Sequence, residues 1–418
     1  MSYRCTPVTQ PFNATVRVPG SKSVANRALI CAALADGSSV LRNIPNGNDS
    51  EALLSGLASL GLEVSRSDGE VTIRSTQPLG EASVHAGLAG TTSRFLTALA
   101  ATGTSPIIVD GADRLRARPI APLLVALRQL GADISDTDGR LPVRIRGPLT
   151  GHSVEIDAST SSQFISALMM IGPTLPDGLT VTLSGDVVSQ PYLDLTASVM
   201  QMFGVNTSIE GNVIEVQRGR YQALDLFIEA DASSASYPLA IAAVTGSTVT
   251  IDGFGADSHQ GDARIVEILA SMGAEADTSP NSVTLSGDSS MELRGIDIDM
   301  AEISDLVPTV AAVATLASSP TRIRNVGFIR EKESDRIGDL AKELSKCGAD
   351  VVVHDDGLEI APADLHGAAL DTHEDHRLAM AFSILGSRVS GVEILGPDVV
   401  AKSWPSFWSD LEQMINET

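Results

Sequence analysis

The stretch Leu60-Gly61-Leu62-Glu63-Val64-Ser65-Arg66-Ser67-Asp68-Gly69-Glu70-Val71-Thr72-Ile73-Arg74 decides the fold. An apolar residue followed by glycine predicts the end of a helix, with Gly61 as the left-handed residue that closes it. Two alternating runs follow, and Asp68-Gly69 between them is a hairpin signal. The block of amphipathic helix, glycine and hairpin returns at Leu130-Gly131, Phe203-Gly204, Met272-Gly273 and Cys347-Gly348, about every 70 residues. Asp138-Gly139, Glu210-Gly211 and Asp356-Gly357 stand where Asp68-Gly69 stood.

A second helix returns with the same period. It is apolar nearly all round and opens with small polar residues, near Ser21, Gly90, Thr160, Asp231, Ala301 and Thr372. A helix without a solvent face must be buried. Six of them predict two groups of three, because one core is too large for 418 residues. The last amphipathic helix, near residues 406–414, has no strands after it, whereas residues 6–18 are strand-like. The two ends are therefore expected to complete one unit together. The expected domains are residues 1–19 plus 230–418, and residues 20–229, with the chain crossing between them twice.

Composition narrows the function. The formal net charge is −23, with 29 Lys and Arg against 52 Asp and Glu. Neither a nucleic-acid backbone nor an acidic membrane surface suits such a chain, so neither is an expected partner. Aromatic residues are only 4%, which argues against base-stacking platforms. Cys5, Cys31 and Cys347 are widely spaced and read as reduced thiols, not as a disulfide framework or zinc knuckle. The first ten residues lack a hydrophobic signal core, and no apolar run reaches the ~20 residues of a membrane span. A soluble cytoplasmic protein is expected.

The starts of the buried helices carry the chemistry. Ser21-Lys22-Ser23, Gly90-Thr91-Thr92, Ser161-Ser162-Gln163, Asp231-Ala232-Ser233-Ser234, residues 302–305 and Asp375-His376-Arg377 share small polar or charged residues. Helix N-termini expose free N–H groups and about half a positive charge, so six ends facing one cleft would trap anions. N-capping alone accounts for any single one. Pro19-Gly20-Ser21-Lys22-Ser23 lacks the glycine spacing of a Walker A loop. Lys22 and Arg27 lie on an apolar helix, where they either meet anions or snorkel. Arg114, Arg116 and Arg118 form a basic patch or a solvated loop. The run Glu331-Lys332-Glu333-Ser334-Asp335-Arg336 opens an amphipathic helix as a solvated charge run, or supplies Glu333 as acid/base between cationic clamps. His373-Glu374-Asp375-His376-Arg377 lacks the spacing of a metal motif, and Arg377 would repel a cation, so no metal is expected.

These residues, taken in order, closely resemble the 5-enolpyruvylshikimate-3-phosphate synthase family. The matching stretches are Pro19-Gly20-Ser21-Lys22-Ser23 with Asn26-Arg27, Ala89-Gly90-Thr91 with Arg94, and Arg118-Pro119-Ile120. Ser161-Ser162-Gln163-Phe164, Gln190-Pro191-Tyr192, residues 231–237 and Gln260-Gly261-Asp262 follow. Lys332-Glu333-Ser334-Asp335-Arg336, Asp375-His376-Arg377 and Lys402-Ser403-Trp404-Pro405 complete the set. The resemblance implies an α/β (α+β) fold, a two-domain inverse α/β barrel of six βαβαββ repeats, three per domain, with ligands in the cleft between. It also implies transfer of the enolpyruvyl group of phosphoenolpyruvate to the 5-hydroxyl of shikimate 3-phosphate, releasing phosphate, by a monomer without cofactor or metal.

Carried over by motif, Ser161, Ser162, Ser189, Tyr192 and Arg27 would hold shikimate 3-phosphate, with Ser23, Asp305 and Lys332 also touching it. Lys22, Arg118, Arg336, Arg377 and Lys402 would surround phosphoenolpyruvate, Gly90 would leave room in that pocket, and Gln163 would lie between the ligands. Lys22 would serve both ligands. Asp305 would be the base for the 5-hydroxyl, and Glu333 with Lys22 would handle the proton on the methylene carbon. Glyphosate, which occupies the phosphoenolpyruvate site in this family, is expected to inhibit. The chain departs from the usual pattern at Thr92-Ser93, Phe95 and Gly327-Phe328, the last replacing a pair whose asparagine often contacts the shikimate phosphate. Two alternatives share the repeat: UDP-N-acetylglucosamine enolpyruvyl transferase and a non-catalytic anion-binding protein. The first usually carries a catalytic cysteine in the loop that here spans residues 113–118, which contain none.

Overall fold

A computed structural model describes residues 1–67, 69–75, 79–185, 187–288, 290 and 292–416. One unit shows how the repeat is built. Strand Ala82–His85 leads into the buried helix Gly90–Ala100, then strand Ile107–Asp110, the amphipathic helix Ala121–Gln129, and the hairpin Asp133–Thr137/Arg140–Arg146. Ala82–His85 pairs parallel with Ile107–Asp110, and the other contacts of the four-stranded sheet are antiparallel. In Arg140–Arg146 every second residue is buried, so Leu141, Val143 and Ile145 form the inner face. The Gly90 helix is buried along almost its whole length, as its composition requires.

Gly61, Gly131, Gly204, Gly273 and Gly348 all have positive φ, the backbone region that glycine enters without steric cost. The buried helices run Lys22–Leu34, Gly90–Ala100, Ser162–Ile171, Ala232–Thr245, Val307–Ala314 and His376–Gly386. The fifth and sixth start later than expected. Residues 304–306 form a separate 3-10 turn before Val307, and a turn over residues 372–375 precedes His376.

The chain divides into two compact units, Gly20–Glu229 and Met1–Pro19 with Ala230–Thr418. The first is inserted into the second, which is split. Each has its own apolar core. In the split unit Asn13–Val16 pairs parallel with Thr248–Asp252, and Ser2–Arg4 pairs antiparallel with Glu393–Leu395. The N-terminal segment thus serves two sheets, and Ser2–Arg4 is the strand that joins the last, three-stranded one. In the inserted unit Asp225–Phe227 pairs with Ser38–Arg42 in the corresponding way. Ser21 N–H donates to Glu229 O at 2.7 Å, and Asp231 N–H donates to Pro19 O at 2.9 Å.

Two local expectations fail for identifiable reasons. Gly357 is not a turn residue but the first residue of strand Gly357–Ala361, paired with His354. A side chain there would lie 2.0 Å from the carbonyl oxygen of Ile323, so close backbone approach demands the glycine. The charged run 331–336 does not open a helix; a 3-10 turn ends at Glu331 and the helix begins at Gly338. Asp335 Oδ1 accepts from the N–H groups of Ile337 and Gly338 at 3.1 and 2.9 Å, the local competition that keeps Asp out of helix interiors and at their starts. The Glu210-Gly211 hairpin turns at Gly211, and Asp138-Gly139 turns with both residues left-handed. Asp68 of the opening hairpin lies outside the described residues.

Candidate active site

In the inserted unit, functional side chains gather at the starts of three buried helices. Ser21 caps the first by accepting from Val24 N–H, which leaves Lys22 half-buried with Nζ 3.1 Å from Asp49 Oδ2. Arg27, one turn further, is 2% exposed. Its Nε donates to Thr196 Oγ1 at 2.7 Å, Nη1 to Ser23 O at 2.9 Å, and Nη2 to Tyr192 O and Ser166 Oγ at 3.1 and 3.2 Å. The guanidinium carbon lies 5.6 Å from the Phe95 ring centre and 5.8 Å from that of Tyr192. No carboxylate of the described residues forms an ion pair with it, and burial lowers its pKa to about 10. Neutral dipoles and ring faces hold this charge, a costly arrangement unless an anion joins it.

Arg94 and Gln163 are hydrogen-bonded to each other, and the Arg94 guanidinium lies 4.8 Å from the Phe164 ring centre. Ser161 caps its helix through Gln163 N–H, and Ser162 is buried. Ser189 is also buried, at φ 60°, three residues before Tyr192. Gly90 faces Arg118: a Cβ on Gly90 would stand 2.8 Å from Nη1 and 3.2 Å from Cζ. Arg114 and Arg116 are both exposed, and Arg116 pairs with Asp110 at 2.7 Å. Of the basic patch, Arg118 is the residue that faces Gly90.

In the split unit the cations meet carboxylates. Arg336, 1% exposed, donates through Nε to Asp375 Oδ2 at 2.7 Å, through Nη1 to Asp305 Oδ1 at 2.8 Å, and through Nη2 to Glu333 Oε2 at 2.8 Å. Arg377 Nη2 reaches Asp305 Oδ2 at 2.7 Å and Lys402 Nζ reaches Glu333 Oε1 at 2.7 Å. One guanidinium therefore touches both carboxylates expected to do acid–base work. Burial acts to raise the Asp305 pKa, but Arg377, Lys332 and Arg336 hold it well below the carboxylate range. Burial likewise acts against the Arg336 charge, and Asp375, Glu333 and Asp305 more than offset it, so its pKa is raised. Lys332 Nζ lies 5.9 Å from the Phe328 ring centre, so the aromatic that departs from the family pattern sits beside an expected ligand contact.

The helix starts carry less of the positive field than their number suggests. Ser21, Ser161, Asp231 and Asp375 each cap their own helix, and two of these caps are carboxylates. Side-chain cations supply the positive charge instead. Four participants had no assigned role in the sequence: Asp49, Arg94, Asp262 and Asp375. Arg94, Asp262 and Asp375 lie inside matched motifs, which was a usable signal. Asp49 lies in the first turn of helix Asn48–Ser59, and nothing local tied it to Lys22. Asp262 is buried, bonded to Ser233 Oγ, and its carboxyl is pushed up to about 7 by burial, with Asp305 adding to the shift.

Comparison with known proteins gives a family for the chain. Residues 7–411 match the family model described as EPSP synthase (3-phosphoshikimate 1-carboxyvinyltransferase). A 3-phosphoshikimate 1-carboxyvinyltransferase from Methanoculleus marisnigri is 41% identical over 411 residues, covering 96% of this chain and 97% of its own. One from Klebsiella pneumoniae is 39% identical over 415 residues, covering 96% of each. Among solved structures, EPSP synthase from Acinetobacter baumannii superposes with a TM-score of 0.83 at 26% identity, over 99% of this chain and 98% of that one. The enolpyruvyl transferase NikO from Streptomyces tendae superposes with a TM-score of 0.76 at 17% identity, over 99% of this chain and 97% of that one, a likeness of fold.

Proposed function

This chain belongs to the EPSP synthase family, and from that premise we propose how its residues divide the work. The reaction is transfer of the enolpyruvyl group of phosphoenolpyruvate to the 5-hydroxyl of shikimate 3-phosphate. The products are 5-enolpyruvylshikimate 3-phosphate and phosphate. Family membership does not favour UDP-N-acetylglucosamine transfer. Among the described residues, no helix is long and apolar enough to cross a membrane, and the enzyme acts as a cytoplasmic monomer on two small anions.

Shikimate 3-phosphate is taken by the inserted unit, on Ser161, Ser162, Ser189, Tyr192, Ser23 and Arg27. The buried charge of Arg27, whose hydrogen-bond partners among the described residues are neutral, supports a ligand carboxylate or phosphate nearby. Phosphoenolpyruvate is held by Lys22 and Arg118 from this unit, beside Gly90, and by Arg336, Arg377 and Lys402 from the other. Gln163 lies between the ligands, and Asp305 and Lys332 reach the shikimate ring.

The addition step forms a C–O bond from the 5-hydroxyl oxygen to C2 of phosphoenolpyruvate and places a proton on C3. Elimination removes a C3 proton and breaks the C2–O bond to phosphate. Asp305 accepts the hydroxyl proton in the addition and returns it to the departing phosphate in the elimination, while Glu333 with Lys22 delivers and retrieves the C3 proton. The observation that carries this assignment is Arg336, which touches Asp305 and Glu333 through separate nitrogens of one guanidinium. While Arg377 and Arg336 hold Asp305, it is a poor base. An arriving anion draws on the same cations, weakens their hold and raises the affinity of Asp305 for a proton. Substrate binding thus creates the base that it needs. Phosphate release from the two substrates, with UDP-N-acetylglucosamine as the control acceptor, tests the reading. Release with the control and none with shikimate 3-phosphate overturns it.

A further inference from the structure

Two successive non-glycine residues, His373 and Glu374, have φ of 49° and 57°, a backbone region that L-residues rarely adopt. They immediately precede Asp375, which caps helix His376–Gly386 and receives Nε of Arg336 and Oγ of Ser334. The turn that aims Asp375 is therefore strained, and something must hold it.

One buried carboxylate does so from both sides. Glu343, on helix Gly338–Lys346, has a fully buried side chain. Its Oε2 accepts from Asp371 N–H at 2.8 Å, before the strained pair, and from Lys346 Nζ at 2.6 Å. Its Oε1 meets His373 Nε2 at 2.9 Å, within the pair; an ionised carboxylate only accepts, so Nε2 carries the proton. The other ring nitrogen, Nδ1, is 3.5 Å from Asp339 Oδ1, one turn back on the same helix face. Asp339 Oδ2 in turn accepts from Asp335 N–H at 3.1 Å, next to Arg336. The imidazole thus spans two carboxylates on the helix that follows Lys332, Glu333 and Arg336, and fixes the turn that precedes Asp375 and Arg377.

We propose that His373 is a positioning residue for enolpyruvyl transfer: held by Glu343 and lying beside Asp339, it keeps the strained 371–375 turn in register with the 332–337 loop, so that Arg336 and Arg377 present their guanidinium groups correctly to phosphoenolpyruvate. It touches neither substrate. The inference rests on the reading that Arg336 and Arg377 bind phosphoenolpyruvate.

The test is steady-state kinetics on the full chain, with KM measured separately for each substrate and folding followed by melting temperature. His373→Ala removes the bond to Glu343 and should raise KM for phosphoenolpyruvate about tenfold, the scale of a lost hydrogen bond to a charged group. KM for shikimate 3-phosphate should stay within about twofold. His373→Gln, whose amide still donates to Glu343, should recover most of the loss. If His373→Ala does not fold, Glu343→Gln, which weakens the same clamp, should show the same split between substrates. A lower melting temperature with both KM values unchanged, an equal rise in both, or His373→Gln behaving like His373→Ala overturns the proposal. Arg336→Ala separates the premise: if it leaves KM for phosphoenolpyruvate unchanged, the binding assignment itself is wrong.

Discussion

Replacing Gly90 by alanine puts one methyl group against one guanidinium. The added Cβ would stand 2.8 Å from Arg118 Nη1 and 3.2 Å from Cζ. Ordinary contact begins near 3.4 Å, so the nitrogen must retreat by about 0.6 Å. Arg118 is long and flexible at that end, so it moves before the helix does, and the fold should survive. The cost falls on the anion that Arg118 serves. A misplacement of about 1 Å at a reacting group can cost about a hundredfold, and about 0.6 Å at one of several anion contacts should raise KM for phosphoenolpyruvate about tenfold, or ~1.4 kcal/mol. Glyphosate, which carries a carboxylate and a phosphonate, should inhibit the wild type competitively with phosphoenolpyruvate. It should lose more than the substrate does, because the methyl also intrudes on filled space. Phosphate-release kinetics give both constants. The same substitution in an Arg118→Lys background should cost less, because lysine has no guanidinium fork to meet the methyl, and that non-additivity measures the coupling directly. Unchanged KM and inhibition constants in Gly90→Ala would show that Arg118 does not report on this glycine.

Asp305→Asn and Glu333→Gln should each lower turnover at least about a hundredfold with smaller changes in substrate binding, and near-normal turnover in both would remove the acid–base assignment. Asp262 keeps its proton to about pH 7 when folded, whereas the unfolded carboxyl releases it near 3.8. Folding therefore takes up a proton between these values, and stability falls as pH rises through that window and is flat above it. Asp262→Asn should melt higher than wild type at about pH 8, with the gap closing toward about pH 4; a gap independent of pH contradicts the shift. Burial pushes the Cys5 and Cys31 thiols up to about 12 and the Cys347 thiol to about 11, so a disulfide reagent at mild alkaline pH should label none before unfolding and all three afterwards.

The repeat was legible because its signals are local. An apolar residue plus glycine ends a helix wherever it occurs, and all five such glycines have the left-handed backbone this requires. Gly357 was misread because a glycine demanded by a distant carbonyl looks the same in sequence as one demanded by a turn. Lys22 and Arg27 were legible as charges out of place on an apolar helix, whereas Arg118 and Arg336 stood in charged runs that also read as solvated, and Lys402 entered only through the family resemblance. The partners of the site residues were not legible. Arg336 and Asp375, Lys22 and Asp49, and His373 and Glu343 meet only through tertiary packing, and no spacing rule joins them. The charged run 331–336 shows both sides: its composition suited a solvated surface as well as acid–base chemistry, and the hydrogen bonds of Asp335 decided that it is a loop.

The insertion of one unit into the other sets a timetable for a chain emerging from a ribosome. Asn13–Val16 is made among the first residues, yet its partner strand Thr248–Asp252 appears more than two hundred residues later. At 5–20 residues per second that is a wait of roughly 10–50 s. Meanwhile everything the inserted unit needs has emerged by Glu229, including its own closing strand Asp225–Phe227. Once folded, that unit holds Ser21 against Glu229, so the two ends of the long excursion leave it side by side. The early strand then faces a short gap in place of a long floppy loop, and the entropy of closing that loop has already been met. Folding of the insert is in this sense a tether for its host. Lesions in the core around Leu96 and Phe164 should delay assembly of the split unit, while lesions around Val310 and Phe382 should leave the insert's own folding untouched.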